Sequence, residues 1–135
     1  MKAVEVQPGE VNVLASAASW AWPMAMHDIF RPRGVNLLVA KNADEFVDVI
    51  EHERIHTTIV DMDSASGGLV TVKIIRKRFP VVPCILLASR TEKRLLDNAL
   101  RLNVFGVVDK PVDMSILQGL LNRIFIKKYG SHIFE

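Results

Sequence analysis

Residues 57–88 read TTIVDMDSASGGLVTVKIIRKRFPVVPCILLA. A β-branched run, Thr57-Thr58-Ile59-Val60, and an apolar run, Cys84-Ile85-Leu86-Leu87-Ala88, bracket a segment where Leu69, Val72, Ile75 and Phe79 recur at helical spacing. Gly67-Gly68 supplies a flexible loop before that helix, and Pro80 stops it. The stretch is therefore a strand, a helix and a strand. The second run carries no polar residue, so both faces of its strand are expected to be covered, as in a parallel sheet.

The same unit repeats on either side. Toward the N-terminus, Val35-Asn36-Leu37-Leu38-Val39-Ala40 reads as a strand, followed by an Asn42/Glu45 capping pair and a helix with Phe46, Val49 and Ile50 on one face. Before it, Val11-Asn12-Val13-Leu14-Ala15 is a strand and Trp20 to Phe30 a helix, with Trp20, Met24, Ile29 and Phe30 among its apolar positions. Pro23 falls in its first turn, where proline is tolerated, and Gly34 closes it. Toward the C-terminus, Ser89-Arg90-Thr91-Glu92 fits a capping box for a helix with Leu95, Leu96, Ala99 and Leu100 on one face. Phe105-Gly106-Val107-Val108 is the last strand. Asp113 caps a last helix whose stripe is Ile116, Leu117, Leu120, Leu121 and Ile124. Five strands alternating with five helices, joined by right-handed crossovers, predict an α/β fold: a doubly wound, three-layer sandwich.

Composition narrows the function. The chain has 135 residues, one domain's worth, with a formal net charge of +2. That charge is too small for a general nucleic-acid or membrane footprint, so neither is expected as a partner. The longest uncharged stretch, Val11 to His27, contains Asn12, Ser16, Ser19 and Pro23 and is too short to span a bilayer. Ala15-Ser16-Ala17 resembles a cleavage site, but no apolar signal region precedes it, so the protein reads as cytoplasmic. The single cysteine, Cys84, has apolar flanks and reads as a buried, inert thiol. Arg76-Lys77-Arg78 reads as a solvated helix end that complements the helix dipole. Of Trp20 and Trp22, one is expected in the core. Residues 1–9 read as an extension, 10–125 as the domain and 126–135 as a tail, broken at Gly130, whose Ile133 and Phe134 are expected to pack back on the fold. No second domain follows, so the chain reads as a stand-alone module.

In doubly wound sheets, chemistry sits beyond the carboxyl ends of the strands. Those positions hold Ser16 to Ser19, then Asp61-Met62-Asp63, Ala88-Ser89 and Asp109-Lys110-Pro111. No glycine-rich phosphate loop follows the first strand. His27, His52, His56 and His132 lie away from this edge and read as surface or helix-end residues, so no Ser-His-Asp triad forms. Asp61 and Lys110 stand out. Geometry alone leaves two readings: a structural ion pair ending two strands, or a phosphoacceptor carboxylate with a lysine that senses the phosphoryl group.

Over residues 10 to 125 the sequence resembles the receiver domain of two-component response regulators. The resemblance rests on Ile59-Val60-Asp61, on Gly68-Leu69 opening the next helix, on Lys110-Pro111 after the fifth strand, and on the order of the βα units. It implies the flavodoxin-like strand order 2-1-3-4-5. It also implies Asp61 as phosphoacceptor, Lys110 as the pocket lysine, and Asp63 where the family offers a main-chain carbonyl to Mg²⁺. The implied role is signalling through protein contact in a phosphorelay, not enzymatic catalysis. The implied partners are a sensor histidine kinase or a downstream output protein. Homodimer formation through the fourth helix, fifth strand and fifth helix is also implied.

The departures carry expectations of their own. The family's two acidic residues after the first strand fall on Ala17-Ala18. Its Ser/Thr after the fourth strand falls on Ala88, with Ser89 one step away, and its switch aromatic falls on Val107, with Phe105 two positions back. The chain thus reads as a divergent receiver, or pseudo-receiver. Mg²⁺ prefers several oxygen ligands including one or two carboxylates, so Asp61 and Asp63 are expected to bind it weakly or not at all, and no other cofactor is expected. A direct Asp61–Lys110 contact, with Asp63 nearby, is the expected ground state. The alternative is a small-ligand-binding or catalytic flavodoxin-like domain using the same sheet edge.

Overall fold

The computed structural model describes residues 11–16, 22–63 and 68–135. Ala17, Ala18, Trp20 and Gly67 lie outside the described residues, as does the side chain of Trp22. The elements are β1 (Val11–Ser16), α1 (Trp22–Phe30), a 3₁₀ turn (Arg31–Arg33), β2 (Val35–Ala40), α2 (Ala43–His52), β3 (Thr57–Asp61), α3 (Gly68–Arg78), β4 (Cys84–Ala88), α4 (Lys93–Arg101), β5 (Gly106–Asp109) and α5 (Met114–Tyr129). All strand pairs are parallel, in the order β2-β1-β3-β4-β5. The expected flavodoxin-like α/β sandwich is the observed one.

Successive strand residues point to opposite faces and build two cores. Val13, Ala15, Ile59, Ile85, Leu87 and Val108 pack under α1 and α5. Leu14, Leu38, Val60 and Leu86 pack under α2, α3 and α4 with Phe46, Val72, Ile75 and Ala99. Every residue of β3 and β4 is buried, because helices cover both faces of these central strands. Cys84 is fully buried, and desolvation pushes its thiol up to about 11.

Local signals are honoured unevenly. The Asn42 side chain accepts the Glu45 N–H at 2.8 Å and starts α2, while Glu45 reaches the Lys41 N–H rather than that of Asn42. Asp113 accepts the Ser115 N–H at 2.9 Å. Gly34, at φ 69°, closes the 3₁₀ turn and not α1 itself. The capping box at Ser89–Glu92 does not form. Glu92 takes the cap position without a side-chain bond, and the Ser89 N–H is engaged elsewhere.

Four positions expected on buried helix faces are corrected. Met24 is 74% exposed, and Met26 is the buried methionine of α1. Leu96 and Leu100 of α4 face solvent, Leu100 at 82% exposure, while Ala99 is buried and Leu95 half-buried. Leu95/Ala99 and Leu96/Leu100 are adjacent stripes at the same four-residue spacing, and one helix can turn only one of them to the sheet. Ile116 is exposed for the same reason, because Leu117, Leu120, Leu121 and Ile124 occupy the buried face of α5. Arg76 is not a solvated helix end. Its guanidinium donates to the Val82 and Pro80 carbonyls at 2.7 Å each and folds the α3–β4 turn over α3.

The C-terminal residues join the core. α5 continues past residue 125 to Tyr129, and Gly130, at φ 59°, ends it. Phe134 is buried edge-on against Phe30 and Phe125. The Tyr129 hydroxyl donates to the His56 carbonyl at 2.6 Å.

His56 also departs from the surface placement expected of it. It is buried at the start of β3, stacked on Phe125, and its Nδ1 accepts the Asn12 N–H at 3.1 Å. Burial and the nearby Arg54 charge lower its proton affinity from the ordinary 6.5. Folded His56 therefore stays neutral where the unfolded chain already takes up a proton. The unfolded state binds more protons, so this contribution is complete above 6.5 and is lost as pH falls toward the lowered folded value. Urea unfolding at about pH 7.5 and about pH 5.5 is expected to show lower stability in acid, and less of that slope in His56→Asn. Equal slopes in the two proteins would exclude His56 as the cause. Exposed His52, whose proton affinity is raised by the Asp48 carbonyl and carboxylate, acts in the opposite sense in both proteins.

Candidate functional site

Four strand ends meet beyond the carboxyl edge of the sheet. β3 ends in Asp61, whose N–H donates to the Ser16 Oγ at the end of β1 (2.7 Å). β4 ends in Ala88, whose carbonyl accepts the Lys110 N–H at 2.9 Å and fixes where β5 releases the chain. The Lys110-Pro111 peptide is cis.

Lys110 sends its ammonium across β4 to β3. Its Nζ lies 2.5 Å from Asp61 Oδ1 and 3.0 Å from Asp63 Oδ2. The Lys110 and Asp61 side chains are only 14% and 5% exposed, so this pair is poorly screened by solvent. Asp61 Oδ1 also accepts the Asp63 N–H at 2.9 Å. Asp63 Oδ2 accepts the Ser89 N–H at 2.8 Å, which ties the β4–α4 connection to the site. Partial burial raises the Asp63 carboxyl, but the bonds from Lys110 and Ser89 outweigh it and hold the group below the usual carboxylate range.

The expected Asp61–Lys110 contact is thus present, with Asp63 as a second carboxylate on the same ammonium. Ser89 contributes its backbone. Ala88 is buried, and Val107 is half-buried against the core under α2, α3 and α4. Phe105 packs on the opposite core, outside the site. Asp109 bonds Thr91, linking the end of β5 to the loop before α4. Ser16 was legible only as a polar end to an apolar strand, and its bond to the Asp61 backbone was not read from the sequence. A cavity of about 430 Å³ opens beside Asp63, Ser89, Lys110 and Pro111. Asp61 and Asp63 are the carboxylates that could meet a cation there. Among the described residues, no three His, Cys, Asp or Glu side chains group closely enough to hold one.

Residues 21–122 match the family model described as the response regulator receiver domain. The chain belongs to the response regulator receiver domain family. As a receiver domain, it is a signalling domain of two-component systems. Curated relatives include NtrX-like response regulators of Rickettsia typhi, 27% identical over 96 residues, and Rickettsia bellii, 26% identical over 98. These alignments take in 69% and 70% of this chain and 20% of each relative, so the receiver spans about one fifth of their length. Among solved structures, the signal receiver domain of an HD domain-containing protein from Pseudomonas fluorescens aligns with a TM-score of 0.80 at 15% identity, covering 90% of this chain and 99% of that one. A CheY-like receiver domain protein from Methanospirillum hungatei aligns at 0.77 and 16% identity, covering 91% and 100%. These structural likenesses bear on the fold alone. No helix among the described residues is long and apolar enough to cross a membrane.

Proposed function

We propose that this receiver is a divergent one, whose resting site is closed by Lys110 and whose signal is carried by protein contact. Asp61 is the phosphoacceptor position. Lys110 is the phosphate-sensing cation, with Ala88 and Ser89 at the hydroxyl position and Val107 and Phe105 at the switch position. The carrying observation is the single ammonium within reach of two carboxylates, 2.5 Å from Asp61 and 3.0 Å from Asp63. A cation arriving at these oxygens competes with a bound ammonium. The sequence offers Ala17-Ala18 where the resemblance calls for acids. Mg²⁺ needs several oxygen ligands and parts with its water reluctantly, so its binding here is weak and phosphoryl transfer to Asp61 is slow.

Ala88 has no hydroxyl to follow a phosphoryl group, and Val107 has no ring to move. Ser89 has its hydroxyl one residue later, on an exposed connection. Output runs through the α4–β5–α5 face, where Leu96, Leu100 and Ile116 are exposed. A kinase, an output protein or a second copy of the chain is the partner for that face.

Titration with Mg²⁺, alone and with beryllofluoride, tests the reading through amide chemical shifts and oligomeric state. The expected result is no saturable change around Asp61 at sub-millimolar Mg²⁺. Saturable shifts spreading from Asp61 to β5 would mark an ordinary receiver instead. Stabilisation by a nucleotide or flavin in a thermal-shift screen would favour a ligand-binding role.

A further inference from the structure

We propose that the end of the sheet opposite Asp61 carries a docking groove for an acidic protein segment bearing apolar side chains. A cleft of about 720 Å³ lies there, between the α3–β4 turn, the α4–β5 turn and the C-terminal part of α5. Arg76, Arg123, Lys127 and Lys128 line it, and among the described residues no carboxylate does. The whole chain carries a net charge of only +2, so four cations with no acid among the described lining residues are a local concentration of charge. Arg76 is held in place by the Pro80 and Val82 carbonyls, which makes part of the positive wall rigid.

The space between the cations is apolar. Val81 is 76% exposed on one side, and Ile126 is exposed on the other. The C-terminal dipole of α5 accounts for cations at Lys127 and Lys128. It accounts for neither Arg123 nor the uncovered aliphatic surface. A small inorganic anion would satisfy the charges and leave Val81 and Ile126 in water. A nucleic-acid strand would look for an aromatic platform, but the aromatic in the lining, Phe105, is packed against the core. A peptide alternating carboxylates with aliphatic side chains meets both features: charge complementarity guides it, and the apolar contacts exclude water. The groove shares no residue with the Asp61 site, so its occupant neither needs nor blocks that carboxylate.

The test uses the full chain and a fluorescein-labelled peptide of repeated Glu-Glu-Leu triplets. Saturable amide shifts at Val81, Asn103 and Ile126 are expected, with affinity falling as salt rises. The double reversal Arg123→Glu/Lys127→Glu is expected to weaken binding by about tenfold, with only the small fall in melting temperature that an anion at the C-terminal end of α5 brings. Val81→Asp, on an exposed turn, is a second variant expected to weaken binding. Shifts confined to other faces, or affinities untouched by these substitutions, overturn the proposal. So does equal binding of a Glu-only peptide, which would make the groove a plain polyanion site, or tighter binding of a single-stranded oligonucleotide.

Discussion

Lys110→Ala is expected to lower stability by about 3 kcal/mol, the low end for breaking a buried ion pair by removing one partner. For a domain of this size that is a fall of roughly 10 °C in melting temperature. The physical reason is the charge left behind. Asp61 is 5% exposed and would lose the ammonium at 2.5 Å, while Asp63 would lose its contact at 3.0 Å. Two carboxylates joined through the Asp63 N–H would then face each other with no cation between them. Protonating either one relieves the repulsion, so the deficit relative to wild type is expected to shrink as pH falls. Lys110→Met separates charge from packing. It keeps the aliphatic stem and should lose nearly as much as alanine if charge dominates. Chemical denaturation of the three proteins at neutral and acidic pH decides the matter. An alanine variant as stable as wild type would mean that the ammonium contributes nothing net, and the closed resting site would go with it.

That contact was legible in the sequence because the topology enforces it. Cys84–Ala88 is so continuously apolar that its strand had to lie inside a parallel sheet, and β-branched Thr57–Val60 reads as the strand before it. Once β3 and β5 flank β4, Asp61 and Lys110 emerge at the same edge, one strand apart. Other features escaped for equally specific reasons. α4 carries two apolar stripes side by side, and the pattern does not say which one meets the sheet. Ser89 satisfies the letter of a capping box, yet its N–H serves Asp63, a tertiary demand that local propensity does not encode. His56 is polar by composition but buried by its bond to Asn12 and its stacking on Phe125, partners 44 and 69 positions away in sequence. The basic groove gathers cations from α3 and α5, and only the fold places those two segments beside one cleft.

Gly68→Ala is expected to be comparably damaging, and for a reason of space rather than dihedral angle. Gly68 opens α3 without a positive φ. A Cβ there would lie 2.6 Å from the Asp61 carbonyl oxygen and 2.8 Å from the Met62 Cα. Both are main-chain atoms, so no rotamer change removes the clash; α3 must move away from β3, or the end of β3 must bend. Overpacking of this kind is expected to cost about 3 kcal/mol, the upper part of the usual range. The bend falls on the residue whose N–H is tied to Ser16 and whose carboxylate holds Lys110. Amide shifts at Ser16 and Lys110 should therefore change together with the melting temperature. Gly119→Ala is the matched control: it sits inside α5 with nothing within 4 Å of the added Cβ. It should stabilise by about 0.5–1 kcal/mol through helix propensity. If Gly68→Ala melts with wild type while Gly119→Ala behaves as expected, α3 starts farther from β3 than 2.6 Å implies. The close helix start would then not be what fixes the Asp61 backbone.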